Sequence, residues 1–307
     1  MTHYDGPIID THHHIWLHKD VAWLHPPVTP KLFGDYFGLR CDFPIDEWIN
    51  DIVPENVVKS VHVTANWGVD KAIDETKWLQ SIADKHGYPH GFTVQADLTN
   101  PNLDATLKAH KAFPNVRGVR HQLYWESHPL YQIVSRPDLC NTAEFRRGFA
   151  LLEKYQLHFE LQVFASQAKY AAELIKAFPN VNFILLHSGM LTNREPMFIE
   201  QWREGLALIA SFPNAYVKIS GLGMFTHGWT YAQMRQVIRD SIQIFGTERT
   251  IYGSNFPLEK LWCSYADLME VYRKVLSEYS QEDQRKIFHD NAVRFYRLRS
   301  ESRDANP

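Results

Sequence analysis

The sequence predicts an α/β fold, a (β/α)8 TIM barrel, on three observations. Eight short apolar runs alternate with longer amphipathic stretches, and strands that alternate with helices of about 10–15 residues are typical of parallel sheets. The chain has 307 residues, which accommodates the roughly 250 residues of such a barrel. A doubly wound open sheet is the alternative, but the sequence contains no glycine-rich phosphate loop to indicate one.

The predicted strands are short runs rich in β-branched and aromatic residues. They are Pro7–Thr11, Val58–Ala65, His90–Leu98, Val116–Leu123, Leu157–Phe164, Val181–His187, Ala215–Ser220 and Thr250–Gly253. The amphipathic stretches between them predict helices. These stretches are Lys71–His86, Leu103–Ala112, Thr142–Tyr155, Gln167–Phe178, Phe198–Phe212 and Tyr231–Phe245.

Two segments are longer than simple connections between strands and helices. Trp16–Pro44 follows the first strand, at the end of a barrel where active-site loops lie. Leu258–Arg299 predicts two or three helices that close the barrel. We therefore expect one barrel domain over residues 1–300 and a disordered tail over residues 301–307.

The composition, 45% hydrophobic and 22% charged, is typical of a globular protein with a sizeable core. A net charge of −3 gives no basic excess for nucleic-acid phosphates. No apolar run approaches the roughly 20 residues of a membrane helix, and the N-terminus has no signal-peptide core. Three widely spaced cysteines favour a reducing cytoplasm over a disulfide framework or a cysteine zinc site. We expect a small-molecule substrate, and a homo-oligomer stays open.

Histidines at two strand ends carry the strongest chemical signal. Strand alternation places His12 and His14 on one face and His13 on the other. His187 ends the apolar strand of Val181–His187, again where barrel sites form. Imidazoles suit zinc, manganese or iron and also titrate near neutral pH. The alternatives are a histidine-rich surface loop for the pair and a hydrogen-bonded core group for His187.

Three further strands place charged or polar side chains in apolar surroundings. Arg120 faces inward if Val119 faces the helices, and it offers a planar fork to a carboxylate or carbonyl. Glu160 and Gln162 share one face, and the pKa of a buried carboxylate can be tuned for acid–base chemistry. Lys218 either holds an anionic substrate or forms a salt bridge with Glu160 inside the barrel.

Five segments of the chain, in this order, resemble one known family. They are Asp10–Trp16, Arg117–His121, His187–Gly189, Tyr252–Pro257 and Asn291–Tyr296. Together they resemble the amidohydrolase superfamily, in the branch of TIM-barrel metal-dependent hydrolases that includes sugar-acid lactonases and 2-pyrone-4,6-dicarboxylate lactonase. The resemblance implies a distorted (β/α)8 barrel with its site at the C-terminal ends of the strands.

The resemblance also implies roles for individual residues. The histidine pair of the family falls on His12 and His14, and its sixth-strand histidine falls on His187. These three are the implied ligands of one divalent ion, zinc or manganese, while a metal-independent reaction stays open. Arg120 falls where the family contacts a substrate oxygen or carboxylate. Much of the superfamily has an aspartate after the eighth strand, whereas this chain has Asn255.

An amide cannot accept a proton at neutral pH, so the base must be another group than Asn255. Glu160, alone or with a metal-bound water, is the favoured base, and a metal-bound hydroxide, His187 or His121 are the alternatives. The expected catalytic residues are His12, His14, His187, Glu160 and Asn255. The expected substrate-binding residues are Arg120, His121, Lys218, Gln162 and Trp16.

These residues together predict a hydrolase that opens a small lactone, of a sugar acid or a carboxylated ring, by attack of water on the ring carbonyl. One alternative is a metal-dependent decarboxylase of an aromatic or unsaturated acid, because sister branches of the family lose carbon dioxide from aromatic acids. The other is a non-catalytic small-molecule-binding barrel, because the usual aspartate is missing.

Overall fold

Eight parallel strands form the centre of the computed structural model, which describes residues 4–298. The strands are β1 (Ile8–His13), β2 (Val57–Val63), β3 (Gly91–Gln95), β4 (Val116–Gln122), β5 (His158–Gln162), β6 (Phe183–Leu185), β7 (Ala215–Ile219) and β8 (Thr250–Tyr252). Each strand pairs with the next one along the chain, as in a barrel built of βα units. The predicted TIM barrel is confirmed.

The first and last strands approach each other just beyond β8. The backbone N–H of His14 donates to Phe256 O at 2.7 Å, and that of Asn255 donates to His12 O at 2.6 Å. The barrel is therefore nearly closed. These two bonds hold the histidines that end β1 against the turn that follows β8.

Helices surround the barrel, usually one after each strand. They are α1 (Ile45–Ile52), α2 (Ala72–His86), α3 (Leu103–Lys111), α4 (Ala143–Lys154), α5 (Ala168–Ala177), α6 (Pro196–Ala210), α7 (Tyr231–Phe245), α8 (Tyr265–Leu276), α9 (Gln281–Arg285) and α10 (Asn291–Tyr296). Hydroxyl caps begin several of them, as where Thr142 Oγ1 accepts from Phe145 N at the start of α4. The six helices predicted between strands all form, whereas α1 lies outside the predicted set.

The C-terminal segment closes the N-terminal end of the barrel. Phe295 and Tyr296 of α10 are buried against apolar side chains that point inward from four strands, namely Ile9, Val61, Ile184 and Ile251. Fully burying a large apolar side chain contributes about 1.5–3 kcal/mol. Because this end is sealed, a ligand reaches the interior from the opposite end, where the strands finish.

The long segment after β1 covers that open end, as the prediction for Trp16–Pro44 implies. Leu32 from this segment packs into an apolar cluster with side chains that follow four other strands. These are Tyr124, Phe164, Met190 and Met224. The segment therefore forms the roof of whatever binds at the barrel mouth.

Across residues 4–298, no helix combines the length and the apolar character needed to cross a membrane. The predicted tail, residues 301–307, lies outside the described residues.

Candidate functional site

Three imidazoles lie side by side at the C-terminal end of the barrel. His12 lies near the end of β1, His14 directly follows this strand, and His187 follows β6. The ring centroids of His12 and His187 are 4.7 Å apart, and those of His12 and His14 are 5.1 Å apart. Side chains separated by most of the chain therefore converge at one place.

A backbone carbonyl fixes which nitrogen of His14 carries the hydrogen. His14 Nδ1 lies 2.6 Å from Val63 O, and because a carbonyl oxygen only accepts, Nδ1 must donate. His14 Nε2 then keeps a free lone pair, and His14 lines the cavity at the barrel mouth. His187 Nδ1 lies 2.9 Å from Ser220 Oγ, a hydroxyl that donates or accepts, so both tautomers of His187 fit.

All three imidazoles are neutral at pH 7. Burial, assisted by the positive charge of Arg120, lowers the pKa of His187 to about 3. Burial also lowers the pKa values of His12 and His14 well below the usual value for histidine, again with nearby cations adding to the effect. Neutral imidazoles hold lone pairs that accept a proton or bind an electrophile.

Buried neutral histidines make the stability of the fold depend on pH. The pKa of His62 falls from 6.5 to about 3 because of burial, so unfolding takes up a proton between these values. Stability is complete above pH 6.5 and declines below it, by up to about 1.4 kcal/mol per pH unit for each such histidine. We expect the free energy of unfolding, from urea denaturation, to drop steeply between pH 7 and pH 5.

A single variant at a buried histidine remote from the imidazole cluster measures how much one such group contributes to this pH dependence. His110 lies on the buried face of α3, and burial lowers its pKa to about 4. Replacing His110 by glutamine should reduce proton uptake on unfolding by about one proton. An unfolding free energy that is equal at pH 7 and pH 5 would contradict the neutral state of these histidines.

Glu160 lies beneath the imidazoles at the centre of a polar cluster. Its Oε1 accepts from Lys218 Nζ at 2.8 Å, from Thr93 Oγ1 at 3.0 Å and from Tyr296 OH at 3.0 Å. Its Oε2 has no hydrogen-bond partner among residues 4–298 and lies 3.9 Å from His12 Nδ1. The carboxylate therefore faces His12.

The structure places both Glu160 and Lys218 below the floor of the cavity. Burial raises the pKa of Glu160, but the charge of Lys218 and the side chain of His158 lower it by more, so the carboxylate is ionised. Both side chains are fully buried, and neither lines the cavity. The internal salt bridge has therefore formed, and a direct contact of Glu160 or Lys218 with a ligand stays a prediction.

Arg120 points from β4 into the cavity, as strand alternation predicts. Its Nη2 donates to Thr64 O at 2.5 Å, while its Nε has no partner among the described residues. Burial lowers the pKa of Arg120 to about 10, with Glu160 and Glu75 opposing the change. The guanidinium therefore stays charged at neutral pH and has a donor free for a ligand.

His121, the next residue on β4, faces the helices instead. Its Nδ1 accepts from Leu98 N at 3.1 Å, and its ring packs against Phe145 of α4 with centroids 5.5 Å apart. It does not line the cavity. Because alternate residues of a strand point to opposite faces, Arg120 and His121 cannot both contact one ligand, so we do not retain the predicted substrate contact of His121.

Asn255 enters the cavity from the turn after β8. Its φ of 65° lies in the left-handed region, which asparagine adopts more readily than most residues. Asp10 holds the turn, because Ser254 N donates to Asp10 Oδ1 at 2.9 Å and Ser254 Oγ donates to Asp10 Oδ2 at 2.6 Å. Asn255 Nδ2 is buried and makes no hydrogen bond of good geometry within residues 4–298, but it lies close enough to the carboxylate of Glu259 to favour its charged form.

Glu259 is a buried acid beside the site that the sequence does not reveal. Its Oε1 accepts from Gly223 N at 3.2 Å, and its Oε2 has no partner in the described part of the chain. Burial raises the pKa of Glu259 to about 8, although Gly223 and Asn255 favour the charged form. The adjacent Lys260 makes the sequence resemble an exposed charge pair, so no pattern indicates this burial.

A cavity of about 280 Å³ lies above the imidazoles. Its size suits a compound with a single ring, and its mixture of apolar walls and a few polar groups is typical of a small-molecule site. The predicted site residues that line it are His14, His187, Asn255, Arg120, Gln162 and Trp16. His12 is fully buried beneath them.

The imidazoles have the donor chemistry of a zinc site, and the carbonyl on His14 Nδ1 is a contact that ligating histidines commonly make. Within residues 4–298, however, no three His, Cys, Asp or Glu side chains are arranged so that they could hold a metal ion. Lys218 and Arg120 also place positive charge near His12. The residues as arranged do not form a metal site, so no reaction step below passes through a metal.

The family model described as Amidohydrolase matches residues 9–298. The chain belongs to the amidohydrolase family. The resemblance carried by the histidine, arginine and asparagine motifs is confirmed, and the nearly closed barrel of this amidohydrolase agrees with it.

Three proteins illustrate what this amidohydrolase is similar to in sequence and structure. It is 36% identical over 296 residues, 96% of this chain and 99% of the other, to the uncharacterized protein y4mH of Sinorhizobium fredii. It is 22% identical to an L-fucono-1,5-lactonase of Burkholderia ambifaria, over 96% of this chain and 97% of the other. The crystal structure of a Burkholderia multivorans amidohydrolase with bound zinc has a TM-score of 0.81 at 23% identity, over 96% and 100% of the two chains.

Proposed function

We propose that the protein hydrolyses a small lactone, of a sugar acid or a carboxylated ring, by attack of water on the ring carbonyl. The observation that carries the proposal is the convergence of His14, His187 and Arg120 on one cavity of about 280 Å³. Membership of the amidohydrolase family and the lactonase relatives support it.

His14 accepts the proton of the attacking water. Its Nδ1 hydrogen is committed to Val63 O, so the lone pair on Nε2 is directed away from the backbone. The pKa of His14 in the free protein is low because of burial and nearby positive charge. A negative tetrahedral intermediate in the same cavity stabilises the protonated imidazole, since opposite charges attract strongly where water is excluded.

Arg120 and His187 stabilise the negative charge that develops on the carbonyl oxygen. Arg120 offers its Nε donor, which has no partner among residues 4–298. His187 donates from Nε2 when Ser220 donates to its Nδ1, an arrangement that the 2.9 Å contact allows. Donors aimed at a developing oxyanion usually make the largest single contribution to catalysis of acyl transfer.

The remaining side chains position these groups and the substrate. Glu160 orients His12 from below, with Oε2 3.9 Å from His12 Nδ1. The amides of Asn255 and Gln162 line the cavity and bind ring oxygens or the attacking water. When the ring C–O bond breaks, the imidazolium of His14 returns its proton to the leaving oxygen, and the product is a hydroxy acid.

The proposal is tested with a panel of five- and six-membered lactones, followed by acid release in a weakly buffered indicator assay. We expect turnover of at least one lactone without release of carbon dioxide. Carbon dioxide from an aromatic or unsaturated acid would favour a decarboxylase. Thermal stabilisation by lactones without any turnover would favour a binding protein.

The role of a metal is tested by elemental analysis of protein purified without added metal and dialysed against a chelator. Two cations lie near His12, and no three possible ligands within residues 4–298 are arranged to hold a metal ion. We therefore expect less than one metal ion per protein molecule, and a metal content that does not correlate with the rate of lactone hydrolysis. Stoichiometric zinc or manganese, with activity lost on chelation and restored on readdition, would show that the divalent ion implied by the family resemblance is needed.

A further inference from the structure

The cavity carries positive charge without a matching acid in its wall. Among the described residues that line it, Lys31 and Arg120 are cationic, and none is Asp or Glu. A cavity lined by one sign of charge attracts ligands of the opposite sign. The two cations differ in one respect, namely whether the protein itself supplies a counter-charge.

Two buried acids already help to stabilise the charge of Arg120 from within the barrel. Glu160 and Glu75 are both buried close enough to stabilise its charged form. Arg120 Nη2 also donates to Thr64 O. Arg120 therefore already has acidic neighbours and a backbone acceptor within the protein, and we assign it to the ester group as a hydrogen-bond donor.

The charge of Lys31 has no acidic neighbour of this kind among the described residues. It comes from the segment that roofs the cavity, and its side chain is half-buried. No carboxylate among residues 4–298 forms an ion pair with it, and burial is the cause that lowers its pKa. The nearest described partner of its ammonium is the ring of Trp23, with Nζ 5.7 Å from the ring centroid.

An ammonium that has lost part of its hydration and has no counter-ion is costly, and an anionic ligand offsets that cost. The neighbours of Lys31 in the cavity wall are apolar, namely Trp23, Leu32 and Phe33, and low polarity strengthens a charge pair. The backbone at Lys31 is fixed, because Gly34 N donates to Lys31 O at 3.0 Å. Lys31 therefore lines the cavity from a defined turn.

We infer that Lys31 forms a binding subsite for an anionic substituent of the substrate, separate from the ester group that Arg120 and His187 contact. The inference rests on the proposed lactone hydrolysis and narrows its substrate class to lactones that carry a carboxylate outside the ring ester. A neutral sugar lactone has no group to pair with Lys31.

The test compares two probes, 2-pyrone-4,6-dicarboxylate as the carboxylated lactone and L-fucono-1,5-lactone as the neutral one. Lys31→Met should lower the ratio of kcat/KM for the carboxylated over the neutral lactone by about 10- to 100-fold, the usual value of a charge-assisted hydrogen bond. The change should lie mainly in KM. Lys31→Arg should restore most of the ratio.

Lys19→Met is the matched control, since Lys19 lies in the same segment, is exposed and does not line the cavity. It should leave the ratio unchanged. A wild-type protein that prefers the neutral lactone, or a Lys31→Met variant with the wild-type ratio, would overturn the subsite while leaving lactone hydrolysis intact. If neither probe nor any lactone of the panel is hydrolysed, the proposed function itself fails.

Discussion

Replacing His187 by asparagine is expected to lower kcat/KM for lactone hydrolysis by about 100- to 1,000-fold, the usual effect of removing one donor to an oxyanion. His187 lies 4.7 Å from His12, centroid to centroid, and lines the cavity. The loss should appear mainly in kcat, because the contact strengthens as charge develops on the carbonyl oxygen.

Asparagine is the suitable replacement because the backbone at His187 is unusual. Its φ of 54° lies in the left-handed region, which asparagine tolerates better than alanine. His121→Asn is the control, since His121 packs between β4 and the helices and does not line the cavity, so its kcat/KM should stay within about threefold of wild type. Unchanged kcat in a folded His187→Asn protein would remove His187 from the mechanism.

The second large effect is expected on stability, from the buried pair of Glu160 and Lys218. Their charged groups are 2.8 Å apart, and both side chains are fully buried. Lys218→Met leaves an uncompensated carboxylate in the barrel, which should lower the free energy of unfolding by about 3–5 kcal/mol. Urea denaturation at pH 7 measures this loss.

A double variant separates the cost of an unpaired charge from the loss of a favourable contact. Glu160→Gln together with Lys218→Met removes both charges, and the glutamine still accepts from Thr93 and Tyr296. The double variant should be more stable than Lys218→Met alone. Losses that simply add would contradict the account, because they would mean that the two groups do not depend on each other for compensation.

The strands and helices of the barrel could be predicted from the sequence because the patterns that indicate them extend over only a few neighbouring residues. Hydrophobic periodicity predicted the eight strands, and strand alternation predicted that His12, His14 and Arg120 face the interior. The end of β6 predicted the position of His187, although the strand stops at Leu185 and His187 lies in the following turn. Strand order then brings these ends together in any closed barrel.

The sequence does not predict in the same way how deep a side chain lies along the barrel axis. Alternation places Glu160 inside but does not say whether it lies in the cavity or below its floor. That depends on the stagger of neighbouring strands and on Tyr296, which reaches Glu160 from α10 at the far end of the chain. The burial of Glu259 likewise depends on the approach of Gly223 from another loop.

The central claim is that water attacks the ring carbonyl at this cavity, and hydrolysis in H₂¹⁸O tests it most directly. For a lactone that the protein turns over, mass spectrometry of the product should find one ¹⁸O in the new carboxylate and none in the hydroxyl group, with incorporation falling to the uncatalysed level in His187→Asn. Label in the hydroxyl group, or product formed with release of carbon dioxide and no label, would contradict the account.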